Sequence, residues 1–303
     1  MIRKLFFLAT TCCLVATLTS FNEKQTALPT AKGILQNMAR INGDLYVCKY
    51  EVSNLEYRVF LDDIKLKNSM LAEDYKIDST KWIEGVNYGD PMAKYYHIHP
   101  AYNNYPVVNI TLEGARAYCD WLTDQYNSDP KRKLKKVRFY IPTEEEWMNV
   151  ANGGNKNKMY PWANYYLRNK SGQFLCNFRH VGDENISYDA EKKEYTIIPE
   201  AKIAGSLSDR AVFTAAVNSF DAVAPYDIHN MSGNVAEMVN EKGIAKGGSF
   251  NSPGFDVRIE SKMNYTNPSP EIGFRVFMYV DNIEPGELIK PNKGEKPNSK
   301  KTY

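Results

Sequence analysis

Asn230-Met231-Ser232-Gly233-Asn234-Val235-Ala236-Glu237, followed by Lys246-Gly247-Gly248-Ser249-Phe250 and Gly273-Phe274-Arg275-Val276, is the part of this chain whose reading decides its fold. The first block sets amide, hydroxyl and carboxylate side chains around one glycine. Calcium takes about six to eight oxygens, and a bent loop supplies them from carboxylates, amides and main-chain carbonyls together. Gly233 permits the tight backbone path such a loop needs, because it has no Cβ. An asparagine-capped turn without an ion is the other reading of the same residues.

Upstream of that block, three segments carry the helical period. Ser53 and Glu56 form a capping-box pattern ahead of Tyr57, Phe60, Leu61 and Ile64, whose spacing of three and four puts them on one face. From about residue 113 to 125, Ala115, Tyr118, Cys119 and Leu122 share a face behind a Thr111 cap. This second helix follows Tyr105-Pro106-Val107-Val108-Asn109-Ile110, which reads as a short strand. In the third, Thr143 and Glu146 repeat the capping box, Trp147, Val150 and Ala151 make the apolar face, and Gly153-Gly154 stops the helix. Beyond it the pattern changes to short extended pieces broken by Gly, Pro, Asn and Asp, as in Tyr195-Thr196-Ile197-Ile198-Pro199 and Val217-Asn218-Ser219-Phe220. With 21 tyrosines and 13 phenylalanines, such a loop-rich half implies a core knit by aromatic burial and by polar or metal-clamped loops.

Arg3 and Lys4 precede an apolar run from Leu5 to Leu18 that is too short to span a bilayer, the pattern of a secretory signal cleaved near Ser20. The expected organisation is a signal peptide over 1–20, an N-terminal linker over 21–43, one domain over 44–281 and a flexible basic tail over 282–303. Export to the periplasm or cell surface follows, with no transmembrane span after signal removal. A lipoprotein reading needs a cysteine at the end of the apolar run, and Cys12 sits inside it. Net charge is +2, which gives no electrostatic case for nucleic acid as a partner. From Glu284 onward the chain is rich in Pro, Gly and Lys and too poor in apolar groups to offset its ordering entropy. Cys48, Cys119 and Cys176 are an odd set without zinc spacing, so one disulfide at most is expected, and Cys119 reads as a small buried hydrophobe.

In this order along the chain, the segments resemble the formylglycine-generating enzymes, the sulfatase-modifying factor family. Glu51-Val52-Ser53-Asn54 with Tyr57 and Phe60 looks like the family's opening helix, and Tyr105-Pro106-Val107 with Ala117-Tyr118-Cys119-Asp120-Trp121-Leu122 like its next element. Pro142-Thr143-Glu144-Glu145-Glu146-Trp147 and Tyr160-Pro161-Trp162 are similar to its Pro-Thr-Glu-x-Glu-Trp and Tyr-Pro-Trp-Gly blocks, with Ala163 in place of the last glycine. The blocks quoted at the outset complete its C-terminal signature. The resemblance implies an α+β fold: a single sulfatase-modifying-factor domain, C-type-lectin-like, loop-rich and low in regular secondary structure. Gliding-motility and type IX secretion lipoproteins of Bacteroidota resemble the same domain.

By that resemblance a structural calcium ion would take the Asn230 and Glu237 side chains with the Gly233 and Val235 carbonyls. A second would take Asn177, the Phe178 carbonyl, Asp209 and the Ala211 carbonyl, ahead of Thr214-Ala215-Ala216-Val217. The family's oxidation of a substrate cysteine relies on two cysteines just after Gly-Gly-Ser, which hold copper(I). Ser252 and Val257 occupy those positions here, so no copper is expected, because soft thiolates suit that metal and oxygen ligands do not. Ala236 and Met238 stand where the family has tryptophans. Ser249 is retained, and without a neighbouring base visible in sequence it reads as a backbone-bonding residue. Relatives using a histidine-ligated iron take their ligands from an additional helical domain, for which this chain has no room; His97 and His99 are paired in sequence, and His180 and His229 are isolated.

Two function classes remain. One is an exported, calcium-stabilised, non-catalytic component of the cell envelope that binds a protein or glycan partner. The other is an enzyme of the same superfamily acting on a peptide or thiol substrate without the copper–cysteine site.

Overall fold

Side-chain chemistry starts the three expected helices where the sequence places it. In the computed structural model, which describes residues 27–155, 158–162, 165–179, 186–197 and 211–281, the chain begins with α1 (Ala31–Gln36), β1 (Met38–Arg40) and β2 (Leu45–Cys48). Next comes α2 (Asn54–Lys67), where Ser53 Oγ accepts from Glu56 N at 3.3 Å while Ser53 N donates to Glu56 Oε2 at 2.8 Å. Three short helices follow, α3 (Ser69–Asp74), α4 (Lys81–Gly85) and α5 (Asp90–Tyr95), then a 3-10 turn at Pro100–Tyr102. Thr111 Oγ1 accepts from Gly114 N at 3.0 Å to begin α6 (Leu112–Ser128). After β3 (Val137–Tyr140), Thr143 and Glu146 form the second capping box and open α7 (Glu144–Ala151). Gly153 and Gly154, at φ 56° and 80°, carry the chain out of it.

The remaining elements are short strands: β4 (Ile186–Asp189) paired with β5 (Glu194–Ile197), then β6 (Ala236–Met238), β7 (Ile244–Lys246), β8 (Lys262–Asn264), β9 (Ile272–Gly273) and β10 (Phe277–Val280). One antiparallel sheet has the order β1-β2-β10-β3, so both ends of the domain close in the same sheet. The other has the order β8-β7-β6-β9, with β6 and β9 parallel and Glu237 opposite Gly273. That pairing delivers Arg275, just beyond β9, to the strand carrying Glu237.

The main core lies between α2, α6 and the first sheet. Tyr57, Phe60, Tyr118, Trp121 and Phe274 pack there with ring centroids 5.2–6.3 Å apart, the edge and offset geometries aromatic rings favour. Gly114 lets α6 approach: a Cβ there would stand 2.5 Å from the Tyr57 hydroxyl. Among the described residues no helix is long and apolar enough to cross a membrane.

Three expectations are corrected. The 21–43 segment is no mere linker, since Thr30 caps α1, Ala31, Ile34 and Met38 are buried in the core, and β1 forms the sheet edge. Residues 105–110 make only an isolated bridge, Ser53 with Pro106, because Pro106 has no N–H and Asn109 turns to φ 61°. Residues 217–220 form a turn closed by Ser219 N donating to Ala216 O at 2.9 Å. Cys48, Cys119 and Cys176 are free, and Cys119 is buried as expected. The signal segment 1–20, Ala163, His180, Asp209 and the tail 282–303 lie outside the described residues.

Candidate functional site

The Asn230–Glu237 loop bends because three of its residues are left-handed: Asn230, Gly233 and Asn234, at φ 55°, 75° and 65°. Only glycine fits at 233, where a Cβ would lie 2.2 Å from the Asn177 carbonyl oxygen. The loop is knit to the Gly-Gly-Ser segment by Gly233 N to Gly247 O, Phe250 N to Asn234 O and Ser232 Oγ to Val257 O, at 2.8, 2.9 and 2.6 Å. The Asn230–Glu237 loop and the Gly-Gly-Ser segment therefore form one buried polar region.

Within it Asn234 is fully engaged, accepting at Oδ1 from Ala215 N and Asn177 Nδ2 and donating from Nδ2 to Glu51 Oε1 and Ala215 O. Asn230 donates from Nδ2 to Glu51 Oε2 at 2.8 Å and Val217 O at 3.0 Å, but its buried Oδ1 has no partner. Burial pushes the Glu51 carboxyl up to about 8, opposed by the Arg275 charge and the two amide donors. Sequence reasoning quoted Glu51 only as part of a helix motif and gave it no role in the site.

Glu237 is committed elsewhere. Its Oε1 accepts from Arg275 Nε at 3.0 Å and Nη2 at 2.6 Å, and its Oε2 from Trp147 Nε1 at 2.7 Å and Arg275 Nε at 3.1 Å. Arg275 also donates to Cys48 O and His229 O, and both charged side chains are buried. Of the first expected ligand set, Asn230 thus fits a cation with a free oxygen, whereas Glu237 is neutralised before any ion arrives. Gly233 and Val235 lie in the same buried loop. In the second set, Asn177 is buried and gives its amide N–H groups to Phe213 O and Asn234 Oδ1, Phe178 packs on Phe174, and Ala211 is half-buried. Asp209, its one carboxylate, lies outside the described residues.

At Ser252 and Val257, where the resemblance implies the family's two cysteines, the chemistry is oxygen and hydrocarbon. Ser252 Oγ accepts from Ser249 N at 2.9 Å and stands 3.3 Å from Ser249 Oγ. Ser249 Oγ donates to Glu271 Oε2 at 2.6 Å and accepts from Asn251 N, while Asn251 Nδ2 reaches Glu271 Oε1 at 3.0 Å. Glu271 is the carboxylate neighbour that the sequence did not reveal. Ser249 is nonetheless fully buried, and its bond to Asn251 N is the backbone role expected of it. Val257 is fully buried against Tyr160, Cys176 and Phe178. Cys176 is the one described thiol in that cluster; Cys48 and Cys119 belong to the main core, where burial pushes Cys48 up to about 12 and raises Cys119 as well. Thiols held protonated are poor copper ligands.

His97 and His99 do not converge. His97 is buried, accepting from Trp82 Nε1 at 3.3 Å and pairing its Nδ1 with Asn54 Oδ1 at 3.0 Å, and burial lowers its imidazole to about 3. His99 is exposed and caps the 3-10 turn. His229 donates to Phe220 O. Beside the polar region a cleft of about 360 Å³ is lined by Met92, Tyr102, Tyr105, Phe213, Thr214 and Phe220 among others, with no charged side chain among the described residues.

The family described as the sulfatase-modifying factor enzyme 1-like domain matches residues 34–280. The inactive C-alpha-formylglycine-generating enzyme 2 of Bos taurus is 22% identical, over 79% of this chain and 78% of that protein. The formylglycine-generating enzyme of Mus musculus is 26% identical over 39% of this chain and 33% of its own length. Among solved structures, PvdO from Pseudomonas aeruginosa is similar with a TM-score of 0.48 and 16% identity, over 78% of this chain and 80% of that one. A match over residues 34–280, together with the capped helices and the buried loop at Gly233, makes this chain a member of the sulfatase-modifying factor enzyme 1-like domain family.

Proposed function

We propose that this protein is an exported, calcium-stabilised, non-catalytic relative of the formylglycine-generating enzymes that binds a protein or glycan partner in the cell envelope, in the manner of gliding or type IX secretion components. The observation that carries the loss of catalysis is the pair of former thiol positions. Ser252 is hydrogen-bonded to Ser249, and Val257 is sealed in an apolar cluster. Neither side chain can form the thiolate that copper(I) requires. The name of the inactive Bos taurus relative supports the same reading. A partner finds its best-suited surface in the uncharged aromatic cleft, where Tyr102, Tyr105, Phe213 and Phe220 offer ring faces and phenolic hydroxyls to a sugar or an extended peptide.

Calcium is proposed at Asn230, whose buried Oδ1 lacks a partner. The ion would clamp the loop, since ligands drawn from the protein hold backbone rather than activate water. Stability follows, because an ion bound only by the native chain raises its melting temperature. Chelation should lower melting in the wild type and leave Asn230→Ala unchanged; equal melting with and without chelator sinks the calcium reading. For the function itself, a Cys-x-Pro-x-Arg peptide incubated with the full chain, with and without copper, should yield no aldehyde.

The rival reading, an enzyme working on a peptide or thiol without copper, draws on the Ser249–Glu271 contact. Complete burial of Ser249 argues against it, because a nucleophile has to meet its substrate.

A further inference from the structure

Glu51 is buried, 1% exposed, and its hydrogen-bond donors are neutral amides rather than a cationic side chain. It sits just before the Ser53 cap of α2, and each of its oxygens receives one amide N–H at 2.8 Å: Oε1 from Asn234, Oε2 from Asn230. Each amide nitrogen has a second acceptor, Ala215 O for Asn234 and Val217 O for Asn230. Glu51 therefore acts as a bracket across both asparagines of the bent loop.

The bracket has a directional consequence. The oxygen and nitrogen of an amide lie on different arms, so pinning Asn230 Nδ2 on two acceptors fixes where Oδ1 points. Rotating the amide would set Oδ1 against the Val217 carbonyl oxygen, two acceptors with no proton between them. Asn234 uses both of its arms. Asn230, 6% exposed, is left with one buried oxygen that no donor satisfies. Such an oxygen is satisfied by an N–H, an O–H or a hard cation, and among the described residues no donor reaches it.

We propose that Glu51 is the positioning residue of the cation site: it locks the Asn230 and Asn234 amides and aims Asn230 Oδ1 at calcium. This rests on the calcium reading above and deepens it, since no carboxylate of the expected ligand set remains free among the described residues. Groups that hydrogen-bond a metal ligand typically change affinity by about 10–100-fold when replaced.

Calorimetric titration of metal-free full-length protein with calcium chloride tests the proposal, with metal-free melting measured alongside. Wild type should bind and Asn230→Ala should not. Glu51→Gln keeps the volume but presents an N–H group to one of the two amides, so it should melt as a folded protein without metal and bind calcium at least about tenfold more weakly. Glu51→Asp, which keeps the carboxyl group and withdraws from one amide, should weaken binding in the same direction and serves if the glutamine variant fails to fold. Wild-type affinity in either folded Glu51 variant, with binding lost in Asn230→Ala, would overturn the role of Glu51 and leave calcium standing. No binding by the wild type would overturn both.

Discussion

His97 gives a quantitative test of how this core is built. Its imidazole stands between the Trp82 indole and Asn54, while Arg58 donates to its backbone carbonyl at 2.6 Å. Burial first, and the Arg58 charge second, lower it from 6.5 to about 3. Below its ordinary value the unfolded chain takes up a proton that the folded chain refuses, so stability falls as the pH falls. The whole drop is worth about 5 kcal/mol once the pH is below both values, and the share already lost at pH 5 is about 2 kcal/mol. His97→Gln should remove that share, because a neutral amide can still accept from Trp82 and donate to Asn54. The assay is urea unfolding of both proteins at about pH 7 and pH 5. Wild type should lose about 2 kcal/mol more than the variant between the two conditions, whatever the variant costs at neutral pH. Equal losses would show that His97 accepts a proton in the fold, and the argument from its burial would fail.

Other substitutions probe the polar region. Arg275→Met leaves the buried Glu237 carboxylate with only Trp147 and strands two carbonyls, so it should cost at least about 3–5 kcal/mol by chemical denaturation. Adding Glu237→Leu should recover much of that loss. Gly233→Ala meets the Asn177 carbonyl and a left-handed backbone at once, and should leave little folded protein at ordinary temperature by circular dichroism.

The sequence was most informative where an interaction closes within a few residues. Ser53 with Glu56 and Thr143 with Glu146 are three apart, so two helix starts were legible to the residue. Ser252 and Val257, where the resemblance implies cysteines, are equally plain, since they follow by counting forward from Ser249. What stayed hidden are partners chosen by tertiary packing. Glu237 finds Trp147 from α7 and Arg275 from beyond β9, and Ser249 finds Glu271 across the second sheet. A carboxylate in an oxygen-rich loop reads as a ligand until its arginine is seen. Residues 105–110 differ for a related reason: apolar residues report burial, and Val107, Val108 and Ile110 are indeed fully buried, but no ladder forms on a segment carrying Pro106 and a left-handed Asn109. In the expected linker, Thr30 followed by Ala31 and Ile34 three apart is a short helix start legible in the sequence.

Copper(I) transfer from a coloured chelator, followed by the peptide aldehyde assay on the same sample, addresses the loss of catalysis most directly. With Ser252 and Val257 at the thiol positions, the protein should draw no copper(I) from the chelator and convert no Cys-x-Pro-x-Arg peptide. Stoichiometric uptake of copper(I) together with aldehyde formation, both abolished by Ser252→Ala, would contradict the account.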